Sequence, residues 1–141
     1  MFILRPLQRL TSLPKQLLIE VYVDSDWAGC SVTRKSTTGV MIKVLACTLH
    51  CISKTQQILA PSSGEAELYV SGTGIAEGLA LGNFAVEACI CTTFKLVVYT
   101  DSTIGKSIAT HFGVTKKTRH IDLKFLYMQE LVKQGIVELR K

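Results

Sequence analysis

Residues 17–27 read LLIEVYVDSDW, and their twofold alternation decides the fold class. Ile19, Val21 and Val23 would share one face of a strand, with Leu18, Glu20, Tyr22 and Asp24 on the other, because successive side chains of a pleated strand point to opposite sides. The strand is expected to end at Asp24 and to leave Asp26 in a turn, since residues 26–35 are rich in Gly, Ser, Thr and charge. Downstream, 38–46 and 48–53 read as two more strands joined tightly into an antiparallel meander. A fourth strand, KLVVYT at 95–100, again runs straight into an acid, Asp101.

Between these strands, Ser62 and Glu65 have the spacing of a capping box and predict a helix over 62–88. Its interior holds Gly72, Gly74, Gly78 and Gly82, each costing about 1 kcal/mol relative to Ala in an exposed helix. Counted from Glu67 along one face, the helix presents Ser71, Gly74 and Gly78, a stripe of minimal side chains that would let it approach a sheet closely. After Asp101, 102–110 reads as a short helix. Residues 119–134 read as an amphipathic one, with Ile121, Phe125, Met128, Leu131 and Val132 near one face. Gly135 should stop that helix before a last strand at 136–139. The order β β β α β α α β implies an α/β fold with a mixed five-stranded sheet, an antiparallel meander joined to parallel strands reached through helices. The GTGIAEG run at 72–78 resembles a nucleotide-binding loop only superficially, because it lies inside a helix with no strand leading into it.

At 141 residues the chain can bury one core and is too short for two, and no linker or repeat divides it. Hydrophobic residues at 48% against 19% charged exclude a disordered chain. The most apolar run, 39–52, is broken by Lys43 and His50 and is shorter than the roughly 18 residues a membrane helix needs. The start, MFILRPLQRL, has only a short apolar stretch before Arg5 and Pro6, so the chain is expected never to be exported and to remain intracellular. Cys30, Cys47, Cys51, Cys89 and Cys91 are an odd set without framework spacing, expected to be reduced thiols in the core. A zinc site built on Cys47, His50 and Cys51 is the alternative, with Cys89 and Cys91 completing it at no familiar spacing. Trp27 is expected in the core, with sugar stacking as its alternative.

A net charge of +5 suits a polyanionic partner, and the cations cluster as Arg34 with Lys35 and as Lys116, Lys117, Arg119 and His120. A solvated surface accommodates them equally well. The acids are sharper. If their strands pair in parallel, Asp24 and Asp101 lie about 4.8 Å apart at the carboxyl edge of the sheet, and Glu67 on the overlying helix could join them. Carboxylates so close repel, which makes an oxygen-ligated divalent cation, most naturally Mg²⁺, the sensible companion. Each is also readable as an ordinary strand-end or helix-start acid.

The segments YVDSDWAGC, TRKSTTG, SKTQQ, APSSGEAELYVSG, VVYTDSTIGKSIA and KTRHIDLKFLYMQELVKQGIVEL, in this order and at these separations, closely resemble the ribonuclease H domain of copia-type retrotransposon Pol polyproteins. The resemblance covers about Glu20 to Lys141. It implies a ribonuclease H-like fold over 17–141, lacking its last helix, with 1–16 as the remnant of a connection to a reverse transcriptase. The implied activity is hydrolysis of the RNA strand of RNA–DNA hybrids during reverse transcription. Asp24, Glu67 and Asp101 match the family's metal-binding acids, holding two Mg²⁺ ions, with Mn²⁺ as a substitute. Glu65 remains a cap residue.

The family's fourth acid follows its last strand, where this chain has only Leu139, Arg140 and Lys141. Asp122 of RHID is an alternative to it, read here as a surface residue early in the amphipathic helix. The implied partners are the hybrid and the reverse transcriptase domain of the same polyprotein, with no membrane and no small-molecule substrate. Arg34, Lys35, Lys54, Lys116, Lys117, Arg119 and His120 become phosphate contacts, and Ser25, Ser63 and Ser102 candidates for sensing 2′-hydroxyls. Two other readings stay open: a non-catalytic nucleic-acid-binding remnant of the domain, and a module that only docks against a polymerase.

Overall fold

The protein is described by a computed structural model covering residues 15–57, 59–60, 62–101 and 119–141, with side chains from residue 126 onward in the last segment. The helix expected over 102–110 and the side chains of Lys116, Lys117, Arg119 and His120 fall outside the described residues, as does Ser102.

Among the described residues, five strands and two helices follow in the order β1 (Gln16–Asp26), β2 (Thr37–Val44), β3 (Cys47–Thr55), α1 (Ser63–Glu87), β4 (Thr93–Thr100), α2 (Arg119–Lys133) and β5 (Val137–Arg140). They form one sheet of order β3-β2-β1-β4-β5, antiparallel between β1, β2 and β3 and parallel between β1, β4 and β5. The mixed sheet is the one the sequence implies, because a tight turn can only return an antiparallel strand while a helix is needed to bring β4 in parallel. That tight turn is Leu45–Ala46, where both residues have positive φ, 51° and 64°.

The alternation in β1 sorts as expected. Leu17, Ile19, Val21 and Val23 are buried and, with Val40, Ile42, Leu96 and Val98, form the floor on which α1 packs. Gly74 and Gly78 explain how closely α1 sits: a Cβ on Gly74 would lie 2.5 Å from Val23 Cγ1, and one on Gly78 would lie 2.5 Å from Leu96 Cδ1. On α2, Met128 and Leu131 are buried in the same core, and Gly135 at φ 71° ends the helix region as its position predicts.

Two expectations fail. β3 is an edge strand exposed along most of its length, so Cys47 and Cys51 are exposed and not core thiols. Cys89 is exposed as well, Cys30 is half-buried, and only Cys91 is buried; all five are free. β1 also runs past Asp24, because β2 continues to pair with it through Ser25↔Thr38 and Asp26↔Thr37. No helix among the described residues is long and apolar enough to cross a membrane.

Candidate active site

The parallel ladder between β1 and β4 ends at Val23↔Thr100, so the next residues along the chain, Asp24 and Asp101, stand at the same level just past its end. Asp24 stays anchored on its other side by pairing with Gly39 of β2. Glu67 arrives from the first turns of α1, whose glycine face lets the helix ride low over these strands. Each of the three acids offers a carboxylate oxygen, and these oxygens lie within 4.8 Å of one another. Among the described residues this is the one such group of potential metal ligands, and the cysteine–histidine alternative on β3 does not converge.

Several contacts hold Glu67 in place. Ser62 caps α1, its Oγ accepting a hydrogen bond from Glu65 N at 3.2 Å, which is half of the expected capping box. Gln56, at the end of β3 and nearly fully buried, donates from Nε2 to Ala66 O at 3.1 Å and from its backbone N to Ser36 O at 2.8 Å. It therefore ties the meander to the residue before Glu67. Ser25 shares the α1-facing side of β1 with Val21 and Val23, and its Oγ donates to Glu67 Oε1 at 2.6 Å. The hydroxyl proposed from sequence as a 2′-hydroxyl sensor is thus committed to a carboxylate.

Burial pushes the Glu67 carboxyl above its ordinary range, the hydrogen bond from Ser25 pulls it back, and the charges of Asp101 and Asp24 push it up again. Its second oxygen, Oε2, is buried without a hydrogen-bond partner among the described residues. An orphaned carboxylate oxygen beside two more carboxylates is an all-oxygen, anionic donor set, the kind that suits Mg²⁺ or Mn²⁺ over thiolate-seeking metals. The residues present fit such an ion.

The cations are more scattered. Arg34 and Lys35 lie in the turn after β1, which is closed by Arg34 N to Cys30 O at 2.8 Å and Cys30 N to Lys35 O at 3.2 Å. Lys54 lies near the end of β3, opposite Thr38. Arg119 and His120 open α2, and Asp122 stands in its first turn, all three with side chains outside the described residues. Ser63 is the exposed first residue of α1. Trp27 corrects the sequence reading: it is 47% exposed, its Nε1 donating to Ala60 O at 3.1 Å. β1 ends at Asp26, so the indole falls beyond the sheet and not beneath α1. Sequence periodicity carried no signal for Gln56, a polar residue that follows a strand and whose partner lies on a helix ten positions away.

No protein-family model matches the chain. It is 29% identical over 125 residues to a retrovirus-related Pol polyprotein from transposon TNT 1-94 of Nicotiana tabacum, covering 88% of this chain and 9% of that protein's length. In architecture it is similar to a ribonuclease H isolated from compost by a metagenomic approach, with a TM-score of 0.60, 19% identity and coverage of 86% of this chain and 81% of the other. A crystal structure of that ribonuclease in complex with an RNA/DNA hybrid gives a TM-score of 0.61 at 17% identity, covering 86% and 83%. The protease–reverse transcriptase of prototype foamy virus gives 0.60 at 15% identity, covering 96% of this chain and 18% of that one. The chain thus has the ribonuclease H fold and resembles in sequence a segment of a retrotransposon Pol polyprotein.

Proposed function

We propose that this domain is a divalent-metal-dependent endonuclease that hydrolyses the RNA strand of RNA–DNA hybrids formed in reverse transcription. The observation that carries the reading is the convergence of Asp24, Glu67 and Asp101, from three separate elements, to within 4.8 Å. Three acids held this close cost stability unless a cation joins them, and phosphodiester hydrolysis is chemistry in which such a cation is useful.

Asp24, at the centre of the sheet between β2 and β4, together with Glu67 and Asp101 would hold the ions. When bound, the two Mg²⁺ ions supply a water of lowered pKa and a stabilised leaving oxygen. The chain's own contribution is positional. The β1–β4 ladder fixes the spacing of the two aspartates, and Ser25 orients the Glu67 carboxylate by its hydrogen bond to Oε1, leaving Oε2 without a protein donor. Arg34, Lys35 and Lys54, with Lys116, Lys117, Arg119 and His120, would meet backbone phosphates, which orient a duplex without reading its sequence. The reverse transcriptase portion of the same polyprotein is the natural partner, since the relatives in which this fold is embedded include a Pol polyprotein and a protease–reverse transcriptase.

The test is cleavage of an end-labelled RNA–DNA hybrid with Mg²⁺, scored against double-stranded DNA and double-stranded RNA. Fragments should appear from the RNA strand alone and vanish in Asp24→Asn. An Asp24→Asn protein that cleaves as fast as the parent overturns the assignment, and hybrid binding without cleavage by the parent favours the non-catalytic remnant.

A further inference from the structure

Trp27 is the one tryptophan of the chain, and it stands at the surface, three residues along the chain from Asp24. Indoles are mostly buried when a core is within reach, and here α1 and the sheet offer one. Instead, the hydrogen bond from Nε1 to Ala60 O fixes the ring in one orientation while leaving it 47% exposed. The turn that carries it is itself fixed. Ala28 N donates to Ser36 Oγ at 3.2 Å, and Ser36 is 1% exposed. The same turn brings Arg34 and Lys35 back alongside β2. Leu59, adjacent to the carbonyl that receives the indole, is also exposed, at 55%. Along the chain Trp27 lies three residues beyond Asp24, a span of at most about 11 Å.

A fixed, exposed aromatic ring that shares its turn with two cations and follows Asp24 by three residues matches a polyanion that also carries flat, stackable groups. A nucleic-acid strand gives each group a counterpart: phosphates for Arg34 and Lys35, and a sugar or base face for the indole.

We propose that Trp27 is a stacking platform of the nucleic-acid interface, its exposed face packing on a sugar and base of the strand laid across the three acids. The inference deepens the nuclease reading and rests on it for the identity of the polymer.

Because Trp27 is the sole tryptophan, its emission reports directly on this position. The experiment uses the Asp24→Asn chain with Mg²⁺. A fluorescein-labelled RNA–DNA hybrid gives binding by anisotropy, and the unlabelled hybrid is followed through Trp27 emission and its quenching by acrylamide. Saturable quenching of Trp27 with the midpoint of the anisotropy curve, and loss of acrylamide access in the complex, are expected. Trp27→Ala should weaken binding about 5- to 150-fold and Trp27→Phe should recover most of it. Anisotropy that reports binding while Trp27 emission and acrylamide access stay unchanged overturns the inference and leaves the nuclease reading intact. A Trp27→Phe and Trp27→Ala pair that both bind as tightly as the parent does the same. No anisotropy change at any protein concentration overturns the nuclease reading, and the inference with it.

Discussion

Replacing Glu67 by Gln should make the metal-free domain more stable. Carboxylate oxygens 4.8 Å apart repel by about 0.9 kcal/mol even at the dielectric constant of water, and Glu67 has two such neighbours. Asp24 and Asp101 are exposed, so solvent keeps the relief near this water-dielectric sum, at about 1–2 kcal/mol at low salt. For a domain of this length that is about 3–8 °C in Tm. Gln keeps an oxygen to accept from Ser25, so the 2.6 Å hydrogen bond need not be lost.

The pH dependence has a definite sign. A carboxyl whose folded-state pKa lies above its unfolded value, as that of Glu67 does, favours the fold below the unfolded pKa, and this contribution is lost as pH rises through the folded pKa. The advantage of Glu67→Gln should therefore be absent well below the unfolded glutamate pKa of about 4.3 and grow as pH rises through the raised folded-state pKa. Thermal unfolding by circular dichroism in EDTA at low salt measures it, and repeating the scan with Mg²⁺ should raise the Tm of the parent and much less that of the variant. A variant that melts at or below the parent in EDTA, or that gains as much from Mg²⁺, would show that the three carboxylates do not share one field.

Other outcomes follow from neighbouring contacts. Ser25→Ala should raise the Mg²⁺ concentration for half-maximal cleavage about tenfold or more while leaving the melting curve in Mg²⁺-free buffer cooperative, and Ser25→Thr should restore it. Gly78→Ala should cost about 1–3 kcal/mol in urea unfolding, because the new methyl meets Leu96 and Val21 on the floor of the core. Leu45→Asn with Ala46→Gly should stabilise by about 1–2 kcal/mol, since both positions have positive φ and the substituted residues adopt it readily. Hybrid affinity should fall linearly on a logarithmic salt axis, and Lys54→Ala should flatten the slope by about one phosphate contact.

The fold was legible in the sequence wherever burial imposes a period. β1 declared itself through Leu17, Ile19, Val21 and Val23, and the strand-end positions of Asp24 and Asp101 already implied their meeting. The glycine stripe below Glu67 was readable because only a close approach justifies Gly in a helix interior. What escaped were side chains whose partners lie on other elements. Ser25 looks like a turn residue until β2 is seen to carry β1 two residues further, and Gln56 has no pattern to announce its hold on Ala66. Trp27 was misplaced because hydrophobicity predicts burial, whereas its surface position is set by a single carbonyl, Ala60 O. The thiols of β3 erred likewise: a strand's apolar content does not say whether it lies at the centre of a sheet or at its margin.

The low-lying α1 has one more consequence. A helix carrying Gly72, Gly74, Gly78 and Gly82 has little tendency to form in isolation, so it gains its structure only when the sheet beneath is complete. Glu67 therefore cannot reach the aspartates from a partly assembled state. Amide hydrogens along the middle of α1 should exchange only through opening of the whole molecule, and ion-binding capacity should disappear in the same cooperative step as the native structure.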